Sequence, residues 1–214
     1  MEESSSEAVA SRLTARGAKT RSRIIATAAD LMRVRGIGGT TLDDVVVASN
    51  VSKSQLYRHF EDKQALVRAV IELVGDRTIA GERQRLSKVM TFAGLQRWRD
   101  ALVENNALQE GRYGCPLGSL ANEVADQDSI ARKKLHDLFT AWQELFEDLL
   151  RRFQKAGLIP QEVDVSQLAI GLLAAVQGGY LLAQASRDIT PMASAIDMAL
   201  AHLHMLDGTR RSAS

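Results

Sequence analysis

The chain has 214 residues, 45% hydrophobic and 5% aromatic, with only three prolines; that is enough for one or two domains with a substantial core. Scarce proline and Ala- and Leu-rich periodic segments argue for an all-α protein. The formal net charge of +1 hides an uneven distribution: residues 12–70 hold eleven Lys and Arg against five Asp and Glu, which suits a polyanion-binding module joined to a more acidic remainder.

The first seventeen residues are serine-rich and acidic at the start and lack the apolar stretch of a signal peptide; they read as a disordered arm. Behind it Arg12, Arg16, Lys19, Arg21 and Arg23 form a basic cluster, suited either to DNA phosphates and the minor groove or to plain solvation. A first helix is expected from about Lys19 to Arg35, with Ile24, Ala28, Leu31 and Met32 inward and Gly36 ending it. After the loop at residues 36–39, two short helices follow in close succession. Thr41 with Asp44 makes a capping box for one, and Ser52 with Gln55 makes a box for the other. Leu42, Val45 and Val46 give the first a buried face, and Leu56 and Phe60 do so for the second. The break at Ser49-Asn50-Val51 is too short for an antiparallel pair, so the helices cross steeply as a helix-turn-helix. The outer face of the second helix then carries Lys53, Ser54, Gln55, Tyr57, Arg58 and His59, groups that read base edges and grip phosphates in a major groove.

A longer helix begins near Lys63, with Leu66, Val67, Val70, Leu73 and Val74 at helical spacing, and closes a small domain over residues 18–75 before running onward as a lever. Residues 76–207 read as a larger helical domain and 208–214 as a flexible tail. Helices are expected around 92–109 and 116–125, divided by the Gly111-to-Pro116 break, and from Asp128 to Ala156, where Leu135, Leu138, Trp142, Leu145, Leu149 and Phe153 make one stripe. Asp164 caps a helix to about Arg187 that is apolar nearly all round, with Gly171, Ala174, Ala175, Gly178 and Gly179 allowing close approach. Thr190 as N-cap and Pro191 at the first helical position open the last helix. These two final helices read as half of a four-helix dimer interface. No apolar run approaches the ~20 residues needed to span a bilayer, and the lone Cys115 suits a reducing cytoplasm. No partner membrane is expected.

From Arg23-Ile24-Ile25 through Thr41-Leu42-Asp43-Asp44-Val45, Val51-Ser52-Lys53-Ser54 and Leu56-Tyr57-Arg58-His59-Phe60 to Asp62-Lys63, the chain resembles the TetR/AcrR family of bacterial transcriptional regulators. The match in order and spacing covers roughly residues 20–70; the rest resembles the family in architecture. The resemblance implies a cytoplasmic homodimer, paired through its last two helices, that binds a palindromic double-stranded operator, most simply as a repressor, and is released by a small-molecule inducer. It places Thr41, Tyr57, His59 and Lys63 on backbone phosphates, Lys53, Ser54 and Gln55 against base edges, and Arg58 on either. Ser52 is better explained as a cap.

For the inducer, the rings Trp98, Phe139, Trp142 and Tyr180 with the polar Asn122, Glu123, Gln177 and Gln184 suit an apolar cleft with a few orienting groups. Cys115, beside Gly114 and Pro116 at a helix start, is a candidate for a thiol of lowered pKa, hence an electrophile or oxidant sensor. Neither a catalytic residue, a metal ligand set nor a cofactor is expected: His59, His136, His202 and His204 make no HExxH pair, and no phosphate loop or GxSxG elbow occurs. A helical dimeric adaptor without specific DNA binding is the alternative from another class.

Overall fold

The computed structural model describes residues 2–207. Every regular element among them is helical: α1 (Glu2–Arg35), α2 (Leu42–Ser49), α3 (Lys53–His59), α4 (Lys63–Leu86), α5 (Phe92–Ala107), α6 (Pro116–Val124), α7 (Ser129–Lys155), α8 (Val165–Ser186) and α9 (Thr190–Met205). The expected tail at 208–214 lies outside the described residues.

The small domain forms as its caps dictate. Thr41 Oγ1 accepts from the Asp44 N–H at 3.1 Å while Asp44 returns the bond to the Thr41 N–H at 2.8 Å. The pair starts α2, and the hydrogen bonds from Thr41 hold the Asp44 carboxyl below its ordinary range. Asn50 closes α2 in the left-handed region at φ 51°, a conformation that Asn tolerates. Ser52 and Gln55 repeat the box at 3.2 and 2.8 Å to start α3. Ile24, Ala28, Met32, Val45, Leu56, Phe60 and Leu66 are buried together beneath these helices.

Helix α4 runs unbroken out of this domain and packs along α7, which also packs on α8, and α8 on α9. A side chain at Gly75 would run into Leu138 of α7, so this glycine marks the close crossing of the two helices. The α7 stripe is the core of the larger domain: Leu135, Leu138, Trp142, Leu145, Leu149 and Phe153 are all buried.

Two expectations are corrected. The last helix begins at Thr190 with Ile189 in the cap position; Asp188 does the capping, taking the Thr190 N–H at 2.9 Å and its hydroxyl at 2.8 Å. Helix α8 is long and apolar enough, by length and composition, to cross a membrane, and only 28% of its most apolar window is buried within the chain. Its apolar surface is therefore mostly unspent in a single copy.

Candidate nucleic-acid interface and ligand cavity

Around its buried anchor Leu56, with Phe60 buried at its C-cap, α3 exposes Lys53, Ser54, Gln55, Tyr57 and Arg58, with His59 half-buried at its end. The face presents donors, a phenol and cations, and no carboxylate stands on α3 itself. Several of these groups have partners already. The Lys53 ammonium pairs with Asp43 at 2.9 Å, which raises its pKa, and Ser54 Oγ lies 3.1 Å from Ser52 Oγ. Gln55 spends its carbonyl on the Ser52 N–H, leaving the amide NH₂ to reach outward. The Thr41 hydroxyl is likewise engaged, donating to Asp44 at 2.6 Å. Arg58 has no ion-pair partner among the described residues. Arg21 lies over the Phe60 ring at 5.3 Å and ties α1 to the end of α3.

Lys63 points at the protein: its Nζ donates to the Ile37 carbonyl at 2.6 Å. The same peptide segment is held from the larger domain. Glu123, on α6, accepts from the Ile37 N–H at 2.7 Å and the Gly38 N–H at 3.2 Å. Gly36 turns the chain there at φ 74°, and a Cβ on it would stand 3.1 Å from Glu123 Oε2. Glu123 thus faces the DNA-side loop, not the aromatic cleft in which the sequence put it. A separation of 86 residues hides this contact from local patterns. Nearby, Arg68 of α4 meets Asp128, the cap of α7, at 2.8 Å, and the cap's own hydrogen bonds, led by the Ala131 N–H, lower the Asp128 pKa.

On the other side of α6, between α7 and α8, lies a cavity of about 310 Å³. The structure brings Cys115, Asn122, Phe139, Gln177, Tyr180 and Gln184 together around it. Trp98 and Trp142 are elsewhere. Trp98 is core, edge-on to Phe146 at 5.6 Å with its Nε1 on the buried Glu82 at 3.2 Å; Trp142 is fully enclosed on the α7 stripe. Both sit at helical spacing within apolar stripes, and burial of the ring wins over lining a cavity. Cys115 occupies the N-cap position of α6, yet burial pushes its thiol up, outweighing the backbone N–H groups of Gly118 and Leu117 that act the other way. A thiol kept protonated is a poor nucleophile, so the sensor alternative is set aside. Burial raises the Tyr180 phenol as well. Among the described residues no group of three or more His, Cys, Asp and Glu is placed to hold a metal ion.

This arrangement, a capped helix-turn-helix clamped to a helical cavity-bearing domain, has counterparts. Residues 24–70 match the family described as bacterial regulatory proteins, tetR family, and residues 92–199 match the tetracyclin repressor-like C-terminal domain. The chain belongs to the TetR family. As such it is a helix-turn-helix transcriptional regulator. It is similar to the transcriptional repressor DhaR of Mycobacterium sp. strain GP1, 29% identical over 161 residues, covering 74% of this chain and 79% of that one. A second relative, an HTH-type transcriptional regulator in the lacX 3′ region of Lactococcus lactis, is 26% identical across 84% of this chain and 90% of its own length. In fold, this TetR-family protein is similar to a TetR-family regulator from Cytophaga hutchinsonii, with a TM-score of 0.78 at 21% identity over 90% of this chain and 96% of that one.

Proposed function

We propose that this regulator acts in the cytoplasm as a homodimeric repressor that holds a palindromic operator until a small molecule enters the cavity between α6, α7 and α8. The observation that carries the reading is the exposed face of α3, which bears no carboxylate of its own and is capped by Ser52, while Glu123 holds the loop that leads into α2. Lys53, Ser54 and the Gln55 amide would meet base edges, while Tyr57, Arg58, His59 and a released Lys63 would meet phosphates; phosphate contacts position the protein and base contacts carry sequence information. The Thr41 hydroxyl would reach a phosphate only by sharing its bond with Asp44.

Support for the dimer comes from α8 and α9, where Ile170, Leu181, Leu182 and Met198 are 45–73% exposed in a single copy. A contiguous apolar face of this kind calls for a partner, and a second copy places two recognition helices one DNA turn apart, ~34–36 Å, or a multiple of it. A ligand that binds better to a different spacing draws the population away from DNA. About a hundredfold loss of operator affinity needs a coupling of only about 3 kcal/mol. Helices α4 and α6 are the physical links, since both start or end on the DNA-side loop.

The deciding experiment is binding of purified protein to the DNA upstream of its own gene, titrated at two salt concentrations beside a scrambled duplex. Strong preference for one palindromic segment is expected. Equal weak binding to both duplexes would return the adaptor reading, and absence of binding at low salt would overturn the proposal.

A further inference from the structure

Of the eleven residues around the α6–α7–α8 cavity, none is Asp, Glu, Lys, Arg or His. Its polar atoms belong to amides and hydroxyls, chiefly Asn122, Gln177, Tyr180 and Gln184, set beside the Phe139 ring and Leu181. The buried Glu82, whose charge acts on Cys115 and Tyr180, is already spent on Arg85 at 2.6 Å and Trp98 at 3.2 Å. The other clefts are different in kind: the one between α1, α4 and α6 carries Asp30, Arg33, Arg77 and Glu123, and the groove beside it carries Arg33, Arg112 and Arg187. An ionised ligand finds counter-charges there and none in the α6–α7–α8 cavity. Burying an ion without a counter-charge costs far more than a few hydrogen bonds return.

Inside this cavity one donor is left over. The Gln177 side chain packs on α6, its Oε1 so close to Gly118 that a Cβ there would stand 3.1 Å away, while its Nε2 is buried without a full hydrogen bond and acts only on the Cys115 thiol, a weak acceptor. Buried donors are rarely left so, because an unmade bond carries the full desolvation cost. We infer that the cavity selects an uncharged, flat apolar molecule bearing a carbonyl-type acceptor, and that Gln177 is its specificity residue, donating Nε2–H to that acceptor while the ring lies along Phe139. This rests on the reading of the cavity as the inducer site. The protonated states of Cys115 and Tyr180 agree with it, since neither supplies an anion or repels a neutral acceptor.

The test is a matched pair of probes, 2-naphthamide and 2-naphthoate, titrated calorimetrically into the full chain near neutral pH, where one is neutral and the other is an anion of the same shape. The amide is expected to bind at least about tenfold more tightly, and Gln177→Leu to weaken the amide about tenfold, one lost hydrogen bond. Unlike a merely structural residue, Gln177 should be replaceable without loss of stability: the Leu variant removes an unsatisfied donor and should melt no lower than wild type. Gln177→Met, unbranched and apolar, serves as the second variant and should behave alike. Equal or tighter binding of the carboxylate, no binding of either probe at millimolar concentration, or an unchanged amide affinity in both variants would overturn the inference. Operator binding is measured separately on the wild type. If operator binding fails while the amide is selected, the repressor reading falls and the cavity assignment stands; the converse pattern removes the cavity assignment alone.

Discussion

At the scale of single residues, the DNA face is built from groups with two employments. Lys63 closes the α1–α2 loop through the Ile37 carbonyl and must leave it to grip a phosphate. Lys63→Ala is therefore expected to weaken operator and random duplex alike and to lower the slope of log affinity against log salt by about one unit. A salt titration of both duplexes checks this, and an unchanged slope would remove Lys63 from the phosphate set. Gln55 is split differently. A bidentate adenine contact needs both its oxygen and its nitrogen, but its oxygen caps Ser52. Gln55→Ala should thus reduce the ratio of specific to random binding, read from competition between the two duplexes; equal loss on both would count against a base contact. The two capping boxes were legible in the sequence because each closes within three residues. The Lys63 bond to Ile37 was not, since the loop that receives it is remote in sequence and its carbonyl leaves no mark in composition.

Among the elements, α6 is the joint. Nine residues long, it has cavity residues on one side and Glu123 on the backbone of the DNA-side loop on the other. Glu123→Ala should free the Ile37 and Gly38 amides, so their hydrogen exchange should accelerate, and operator affinity should drop as α2 loses its fixed starting point. Faster exchange with unchanged affinity would show the clamp to be irrelevant to DNA. Asp128 makes a second joint, capping α7 and holding Arg68 of α4. Asp128→Ala should cost about 1 kcal/mol as a lost cap. Its pH dependence has a defined sign: the folded-state pKa is lowered from 3.8, so the stabilisation is present above the unfolded value and is lost as pH falls through the folded one. Wild type should lose part of its advantage over the variant in thermal melts taken below the ordinary carboxylate range; a constant difference down the acid limb would sink the assignment. Helix α7 was legible from its apolar stripe, and its ends from Asp128 and Gly157. The aromatic side chains misled: periodicity reports that Trp98 and Trp142 face inward, not whether they meet a cavity or a neighbouring ring.

For the whole molecule, the unspent surface of α8 decides the state in which the protein works. Its outward stripe alternates bulk with small residues: Ile170, Leu181 and Leu182 are exposed, and a Cβ added at Gly171 or Gly178 would meet nothing within 4 Å. Inside one chain Gly171 has no packing purpose, and a helical glycine lowers stability by about 1 kcal/mol relative to Ala. Small residues at such spacing do serve a purpose where another helix crosses closely, and the second copy supplies that helix. Gly171→Arg separates the two cases sharply. Within a single copy the new side chain enters open space and replaces a poor helix former, so helical content and the melting of the isolated chain should be maintained or improved. Across a dimer it drives a charge into the apolar crossing, so sedimentation equilibrium should show monomer where wild type shows dimer. Half-site binding then loses its second recognition helix, and operator affinity should fall steeply while affinity for random duplex changes little. If Gly171→Arg remains dimeric with full operator affinity, the α8 face is not the interface, and the apolar surface must be covered by something other than a second copy of this chain.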